Sequence, residues 1–246
     1  MKNPFADLKP SARDASPLYL QLARKLGAAI RDGRFQTHEA LPSERLLSES
    51  LGVSRVTARS AIDQLVEQGL IVRKRGSGNY IAPHLEQPLS QLTSFTEELH
   101  RRGYTPRSRW LSRHITSATV DEQLSLALSP KTQVARLERL RLADDVAMAY
   151  EVSILPQSVV PNPEAVTDSL YEYLTSIGQL PVRALQHIRA MNAAPKLAGQ
   201  LGVPVGQAVL FITRVGYLAS GRAVELTHSY CHSDYYDFVA EMRRQS

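Results

Sequence analysis

A tight turn between two short helical patterns is the feature that most restricts what this sequence can fold into. From Ser43, leucines at helical spacing run to Leu51, and Gly52 follows as a residue that readily stops a helix in the left-handed conformation. Only Val53 separates that glycine from Ser54, a preferred N-cap that opens the next helical pattern. Two helices joined by such a short turn form the helix-turn-helix motif, whose second helix enters the major groove of DNA. The sequence therefore predicts this motif in its first third.

One helix before the motif and one hairpin after it complete a winged helix-turn-helix domain that we place at residues 12–83. Ser16 and Pro17 are a suitable N-cap and first residue for the preceding helix. After Gly69, two short β-branched runs surround Gly76-Ser77-Gly78, which predicts a β-hairpin whose tip lacks large side chains. The residues expected to face the core are apolar and helically spaced: Tyr19, Leu22, Leu26, Ile30, Leu46, Leu47, Leu51, Ala58, Ala61, Ile62 and Leu65.

The exposed basic residues of this domain lie where a helix-turn-helix meets DNA. Arg55 and Arg59 are four residues apart near the start of the second helix of the motif, and Arg73-Lys74-Arg75 leads into the hairpin tip. The arginine fork suits guanine or phosphate oxygens. Residues 1–84 carry 13 lysines and arginines against 8 acids, whereas residues 85–246 carry 16 of each. This distribution predicts nucleic-acid contact at one end of the chain, although a solvated basic surface explains the charge alone equally well.

Four runs in this domain form a specific signature: LPSER at 41–45, GVSRVTAR at 52–59, GLI at 69–71 and GSGNY at 76–80. The signature resembles that of the GntR family of bacterial regulators. The resemblance implies that three parts of the domain contact DNA. They are the first helix of the helix-turn-helix motif, the start of its second helix, and the glycines of the hairpin, which is the wing. In this sequence those residues are Arg45, Ser54, Arg55, Thr57, Arg59, Gly76 and Gly78. Val56 departs from the threonine or methionine of many relatives, which affects base contacts rather than the mode of binding.

The remaining sequence predicts an α+β domain at residues 93–246, preceded by a linker at 84–92 that contains Pro88 and little periodicity. A helix is expected from the hydroxyl-rich run at Thr93 to near Gly103. The short alternating runs after it favour a mainly antiparallel sheet. The expected strands are residues 108–117, 133–143, 147–155, 182–192, 207–218 and 223–232, and the expected helices lie near 119–127, 169–177 and 194–201.

Three polar features of the second domain suggest a site for an anion. The helix start Thr93-Ser94-Phe95-Thr96 offers N–H groups and hydroxyls. Arg139 and Arg141 are two residues apart on one predicted strand, so they share a face and suit a phosphate or carboxylate. Glu151 and Glu225, on other predicted strands, are able to accept hydrogen bonds from ligand hydroxyls. A plain helix cap, an exposed strand face and a surface ion pair are the alternative explanations.

The order of elements and four further runs, LERLRLAD at 137–144, SLYEYL at 169–174, SGRAVE at 220–225 and HSY at 228–230, resemble a known effector-binding domain. It is the UTRA domain of the HutC subfamily within GntR, a sensor with a chorismate-lyase-like fold. The resemblance implies a phosphorylated amino sugar as effector, such as N-acetylglucosamine-6-phosphate or glucosamine-6-phosphate. The implied phosphate contacts are Ser94, Phe95, Thr96, Arg139 and Arg141, and the implied sugar contacts are Glu151, Ser169, Glu225 and Tyr230.

Two departures from the family pattern leave the identity of the sugar open. His232-Ser233 stands where many relatives have arginine and then glycine, and Tyr235 stands where they have arginine. Both positions are expected at the rim of the pocket or in a packing contact. A non-sugar effector such as urocanate or another carboxylate, and a second domain that only dimerises, remain alternatives.

The overall prediction is a transcriptional regulator, with repression implied by the family. Because one winged helix covers half a site, we expect a homodimer that binds an inverted repeat in double-stranded DNA. An enzyme is the main rival class, but no catalytic or cofactor motif is recognisable. A metal site would have to use Cys231 with His228 and His232, and we expect those residues to be structural instead.

Composition bears on the compartment. The sequence has one cysteine, which excludes a disulfide framework, and no apolar run that approaches the roughly 18 residues of a membrane span. Its first ten residues lack the apolar core of a secretory signal. These features predict a cytoplasmic protein with no membrane partner.

Overall fold

The chain divides into two compact units, Met1–His84 and Leu85–Ser246. The structure is a computed structural model, and it describes residues 5–11, 14–32, 34–35, 40–74, 77–83, 85–89 and 91–240. Arg75 and Gly76, two of the predicted DNA contacts, lie outside the described residues, as does the side chain of Lys74.

In the described residues of the first unit, a short 3-10 helix at Ala6–Leu8 is followed by three helices and a hairpin. The elements are α1 (Leu18–Arg31), α2 (Glu44–Leu51), α3 (Arg55–Glu67), β1 (Ile71–Lys74) and β2 (Gly78–Ile81). The two strands are antiparallel, with Ile71 opposite Ile81. Both isoleucines are buried in one apolar cluster with residues of all three helices. The helices and the hairpin therefore share a single core.

Local capping explains the tight turn between α2 and α3. The Ser43 hydroxyl accepts a hydrogen bond from the Leu46 N–H at 3.2 Å, and the Ser54 hydroxyl accepts one from the Thr57 N–H at 3.0 Å. Gly52 ends α2 with a φ of 66°, in the left-handed region that glycine adopts without strain. The three predicted helix boundaries at this turn are confirmed.

Two details of the first unit differ from expectation. Helix α1 begins at Leu18, because Pro17 is the N-cap and the Ser16 hydroxyl instead donates to Asp14 at 2.7 Å. Leu46 was predicted to be buried but is 45% exposed. It lies in the first turn of α2, a helix whose buried residues are Leu47 and Leu51.

The second unit is built on a six-stranded antiparallel sheet with the strand order β4-β5-β6-β9-β8-β7. Its strands are β4 (Pro106–Ser117), β5 (Gln133–Ala143), β6 (Val146–Pro156), β7 (Arg183–Asn192), β8 (Ala208–Tyr217) and β9 (Ala223–His232). Its helices are α4 (Phe95–Arg101), α5 (Val120–Leu126), α6 (Leu170–Ser176) and α7 (Pro195–Leu201), with a 3-10 helix at Pro163–Ala165. The predicted α+β class is confirmed, and all six predicted sheet strands are present within two residues of their expected bounds.

One strand pair was not foreseen. Part of the predicted linker forms β3 (Leu85–Pro88), which pairs in parallel with β10 (Tyr236–Val239). The N–H of Leu85 donates to the Tyr235 carbonyl at 2.7 Å, and Leu85 is buried. Two four-residue strands that are distant in sequence carry no readable periodicity, and Pro88 argued against a strand because proline cannot donate to a ladder.

No helix in the described part of the chain is both long and apolar enough to cross a membrane.

Candidate functional site

A surface hollow in the first unit brings together the start of α2, the start of α3 and the tip of the hairpin. We call it the basic hollow, and its lining residues are Ala40, Leu41, Ser43, Glu44, Arg45, Arg55, Arg59, Ser77, Gly78 and Asn79. Four predicted DNA contacts, Arg45, Arg55, Arg59 and Gly78, therefore lie on one concave surface. Ser43 and Ser54 cap α2 and α3, so these caps determine where each helix begins and therefore where its arginines lie.

Two arginines of the basic hollow differ in their surroundings. The Nε and Nη2 atoms of Arg59 each lie 3.0 Å from Oε2 of Glu44, although the Arg59 side chain is 66% exposed. Arg55 is exposed and takes part in no ion pair within the described ranges. The guanidinium of Arg55 is therefore accessible to an anion, whereas the carboxylate of Glu44 already orients the guanidinium of Arg59.

Among the described residues, the predicted contacts Ser54, Thr57 and Arg73 do not line the hollow. The hydroxyls of Ser54 and Thr57 lie 2.8 Å apart, and Ser54 also caps α3. Arg73 forms an ion pair with Asp63 of α3. Their assignment as DNA contacts stays a prediction.

The second unit encloses a cavity of about 60 Å³ between the sheet, α4 and α6. Its lining residues are Ser94, Phe95, Arg139, Arg141, Ala149, Glu151, Ser169, Leu170, Tyr171, Ile212, Arg214, Glu225, Thr227, Ser229, Cys231 and Tyr236. Seven of the nine predicted effector contacts are among them. The floor spans β5, β6, β9 and β8, so residues from distant parts of the sequence converge there.

One end of the cavity holds a buried ion pair. Arg139 lies directly opposite Glu151 in the antiparallel register, and its Nε donates to Glu151 Oε1 at 2.7 Å. Burial acts to raise the pKa of Glu151, but the nearby guanidinium groups of Arg139 and Arg141 hold it below its ordinary value. Arg139 is therefore balanced by a charged carboxylate.

Arg141, in contrast, is buried and forms no ion pair with a carboxylate of the described residues. Its Nη1 donates to the Ser108 hydroxyl at 2.7 Å and to the Asp168 carbonyl at 3.1 Å, and its Nη2 donates to the Thr96 hydroxyl at 2.9 Å. All three acceptors are neutral, and the Nε–H has no hydrogen-bond partner. The guanidinium also lies 4.4 Å from the centre of the Phe95 ring.

These surroundings lower the pKa of Arg141. Burial, together with the positive charge of Arg139, lowers its pKa to about 9. A buried cation whose hydrogen-bond partners are all neutral is costly, and the charge of the nearby Glu151 offsets its desolvation only in part. The site is therefore suited to receive an anion.

The other end of the cavity is built around Glu225. Its Oε2 accepts a hydrogen bond from the Tyr171 hydroxyl at 3.0 Å, and its Oε1 accepts one from the Thr227 hydroxyl at 2.6 Å. Burial raises the pKa of the carboxyl group above its ordinary value. Tyr171, Arg214, Thr227 and Ser229 were not predicted. The alternation of Glu225, Thr227 and Ser229 along β9 was the available signal for two of them.

Two predicted effector contacts do not line the cavity. Thr96 lies behind Arg141 and acts on it through the hydrogen bond described above. Tyr230 does not line the cavity: its ring stacks on Phe211 at 4.8 Å and on Tyr150 at 5.6 Å, on the other face of β9. Because successive strand residues point to opposite faces, the neighbouring Cys231 lines the cavity instead.

The same alternation separates the sequence cluster around Cys231. His228 stacks on Phe211 and so lies on the face opposite to Cys231. Across the described ranges, no group of three or more histidine, cysteine, aspartate or glutamate side chains is placed to hold a metal ion. The two family departures are a packing contact rather than a rim, since the rings of His232 and Tyr235 stack with their centres 4.1 Å apart.

Comparison with known proteins agrees with both units. Residues 18–81 match the model of the bacterial regulatory proteins of the gntR family, and residues 101–237 match the UTRA domain. The chain is 36% identical over 234 residues to the HTH-type transcriptional repressor NagR of Bacillus subtilis (strain 168), covering 94% of this chain and 96% of that protein. It is 30% identical over 234 residues to the mannosyl-D-glycerate transport/metabolism system repressor MngR of Escherichia coli (strain K12), covering 94% and 98%.

A solved structure gives the same result for the fold. The crystal structure of PhnF from Mycobacterium smegmatis matches with a TM-score of 0.63 and 26% identity, and the match covers 91% of this chain and 99% of that one. The chain therefore belongs to the GntR family: it is a DNA-binding transcriptional regulator that joins a helix-turn-helix unit to a UTRA domain.

Proposed function

We propose that this regulator is a homodimeric repressor and that a small anion lowers its affinity for the operator. The anion, a phosphorylated amino sugar, binds in the cavity of the second unit. The observation that carries the proposal is Arg141, a buried cation with only neutral partners. A phosphate group would supply the missing negative charge and accept from its free Nε–H.

The rest of the cavity suits a hydroxyl-rich ligand. Ser94 and Ser169 each use a lone pair to cap a helix, so their hydroxyl protons remain available for a ligand. Ser229 and Glu225 offer further polar groups towards the other end. Charge at one end and hydrogen-bonding groups at the other is the pattern expected for a sugar phosphate.

The size of the cavity implies that binding is coupled to a change of shape. Ligand pockets usually measure about 300–1,000 Å³, whereas this cavity measures about 60 Å³. An effector would therefore widen it by moving the elements that close it, α4 or α6. In a dimer such a change would alter the spacing of the two recognition helices and lower operator affinity, and DNA would in turn weaken effector binding.

Thermal unfolding of the purified protein tests the effector class. The panel is glucosamine-6-phosphate, N-acetylglucosamine-6-phosphate, both unphosphorylated sugars, urocanate and mannosyl-D-glycerate. We expect only the phosphosugars to raise the unfolding temperature, by several degrees at a concentration of about one hundred dissociation constants. A rise with either carboxylate alone would move the proposal to a carboxylate effector, a class that the name of MngR favours. No rise with any compound would favour a domain that only dimerises.

Operator release needs a separate measurement. DNA selected by the protein from a random pool should contain an inverted repeat, and the stabilising phosphosugar should weaken binding to it. Tighter binding in the presence of the phosphosugar would reverse the proposed sign of regulation.

Ser54 offers a prediction that separates a helix cap from a DNA contact. Ser54→Ala should destabilise α3 by about 1 kcal/mol, because it removes the acceptor for the Thr57 N–H. Ser54→Asp keeps an acceptor and favours the helix dipole, so stability should be retained while DNA binding weakens at least about tenfold through repulsion of phosphates. Thermal unfolding and fluorescence anisotropy with the selected DNA measure the two effects. If Ser54→Ala loses DNA affinity with unchanged stability, the hydroxyl contacts DNA directly and its capping role is minor.

A further inference from the structure

A polar row crosses the floor of the cavity at the end away from Arg141. Ser153, Thr227, Arg214 and Gln186 are aligned in the register of four adjacent strands, β6, β9, β8 and β7. Hydrogen bonds join the row at both sides: Thr227 and Ser153 hydroxyls lie 2.9 Å apart, and Arg214 Nε donates to Gln186 Oε1 at 2.9 Å. Arg214 is thus anchored on the edge strand while its guanidinium lines the cavity.

The carboxylate of Glu225 lies beside this row. Glu225 pairs with Gly216, two residues beyond Arg214 on β8. A Cβ atom at Gly216 would lie 3.0 Å from Glu225 Oε2, so the absence of a side chain there leaves the space that the carboxylate occupies. Each carboxylate oxygen accepts a hydrogen bond from a neutral hydroxyl group, Oε2 from Tyr171 and Oε1 from Thr227. Within the described ranges, neither oxygen lies within 4.0 Å of a cationic nitrogen.

The charged and titratable groups that face Glu225 come from three packed elements. Burial raises its pKa most, Arg214 of β8 and the hydroxyl of Tyr171 on α6 lower it, and Glu151 of β6 raises it. The geometry agrees: Arg214 lines the same cavity as Glu225 and lies opposite Thr227, whose hydroxyl donates to Glu225 Oε1, so Arg214 is the β8 cation beside this carboxylate.

We propose that Arg214 is a positioning residue of the effector site: it keeps the buried Glu225 carboxylate charged, so that this end of the cavity accepts hydrogen bonds from hydroxyl or ammonium groups of a ligand. The statement about the ligand rests on the proposed function, whereas the effect of Arg214 on Glu225 does not. The cavity would then recognise molecules with an anion at one end and hydrogen-bond donors at the other. A second anion at the Arg214 end is the competing possibility.

The effect on Glu225 is tested without any ligand, by thermal unfolding between pH 5 and 8. Arg214→Gln should lower the unfolding temperature at pH 7.5 by roughly 10 °C, because it leaves a buried carboxylate uncompensated. The loss should shrink as the pH falls towards 5. The folded state then binds a proton that the unfolded state, with a pKa near 4.3, releases, so stability falls as pH rises between the two values.

A double substitution keeps this test decisive even if the single variant is poorly folded. Arg214→Gln with Glu225→Gln should be more stable at pH 7.5 than Arg214→Gln alone, and its pH profile should be flatter. Arg214→Lys should restore part of the stability, and Arg222→Gln, which changes an exposed arginine of the same unit, should leave the profile unchanged. A double variant as unstable as the single one, with no pH dependence in either, would overturn the proposal.

Calorimetric titration with two probes then tests the consequence for ligands. Inorganic phosphate reports on the Arg141 end alone, and glucosamine-6-phosphate reports on both ends. Arg214→Gln should change phosphate affinity by less than about threefold but weaken glucosamine-6-phosphate by roughly 10- to 100-fold. Equal losses for both probes would show a purely structural role, and an unchanged affinity for glucosamine-6-phosphate would contradict the specificity claim. If the unsubstituted protein binds neither probe, the proposed effector class fails while the unfolding experiment still decides the role of Arg214.

Discussion

Arg141→Met is expected to abolish anion binding while leaving the effector-free protein about as stable as the unsubstituted one. The substitution removes a cation that is desolvated and has only neutral partners. The methionine fills most of the same volume with apolar atoms, which offsets the lost hydrogen bonds. Ser108 still donates to the Asp168 carbonyl at 2.9 Å, so of the three acceptors only the Thr96 hydroxyl loses its partner. We therefore expect a change in stability within about 2 kcal/mol.

The loss of binding should be large. A charge-assisted contact in a buried site contributes several kcal/mol, so phosphosugar affinity should fall at least about 100-fold, and stabilisation by the ligand should disappear. Thermal unfolding with and without glucosamine-6-phosphate measures both effects in one experiment. Retained stabilisation in Arg141→Met would remove the central argument for the anion site.

Arg139→Met is the matched comparison, because it lies two residues away on the same strand face. It also should lose the ligand, but it leaves Glu151 buried without its cation. Breaking such a pair typically costs about 3–5 kcal/mol, so the unfolding temperature should fall by roughly 10 °C. Similar stability for the two variants would mean that the ion pair with Glu151 does not distinguish the two arginines.

The second large effect is expected on operator binding, from Arg55→Ala and Arg59→Ala. An arginine that contacts a guanine or a phosphate contributes about 1–3 kcal/mol, and a dimer on an inverted repeat loses the contact twice. Each variant should therefore bind operator DNA roughly 30- to 10,000-fold more weakly. Arg59→Ala also frees the Glu44 carboxylate beside the DNA surface, which adds repulsion.

Fluorescence anisotropy at several salt concentrations separates the two kinds of contact. A lost phosphate contact weakens all sequences alike and lowers the salt dependence, whereas a lost base contact mainly lowers the preference for the operator. Arg24→Ala is the control, since Arg24 is an exposed arginine of α1 paired with Asp14 and lies outside the basic hollow. Operator affinity that is equal in all three variants would contradict the assignment of the hollow. Effector stabilisation should be unchanged throughout.

Much of the fold was readable from local sequence because local chemistry determines it. Ser43, Gly52 and Ser54 form caps within four residues of themselves, so the helix boundaries at the turn need no tertiary information. The strands of the sheet were likewise predicted within two residues, since their alternation is a property of consecutive positions. Arg139 and Arg141 were expected on one face for the same reason, and both line the cavity.

The errors arise where the outcome depends on a partner far away in sequence. Strand β3 exists because β10 lies beside it, and neither four-residue run predicts a strand alone. Tyr230 and Cys231 show this for a strand, because neighbouring strand residues point to opposite faces of the sheet. Only the packing of Tyr230 against Tyr150 and Phe211 shows that Cys231, and not Tyr230, faces the cavity.

The sequence by itself determined the class of the two domains, their helix starts and the pair of arginines that share a strand face. Only the tertiary structure decided that Arg141 hydrogen-bonds to neutral groups, whereas Arg139 forms an ion pair with a carboxylate, because that difference depends on the register of β6 against β5 and on the loop before α6. It also decided that Arg214 and Glu225 meet in the same cavity. The sequence shows which side chains are charged. Packing determines how far each charge is buried and how close it lies to other charges, and these two quantities decide whether it can bind a ligand.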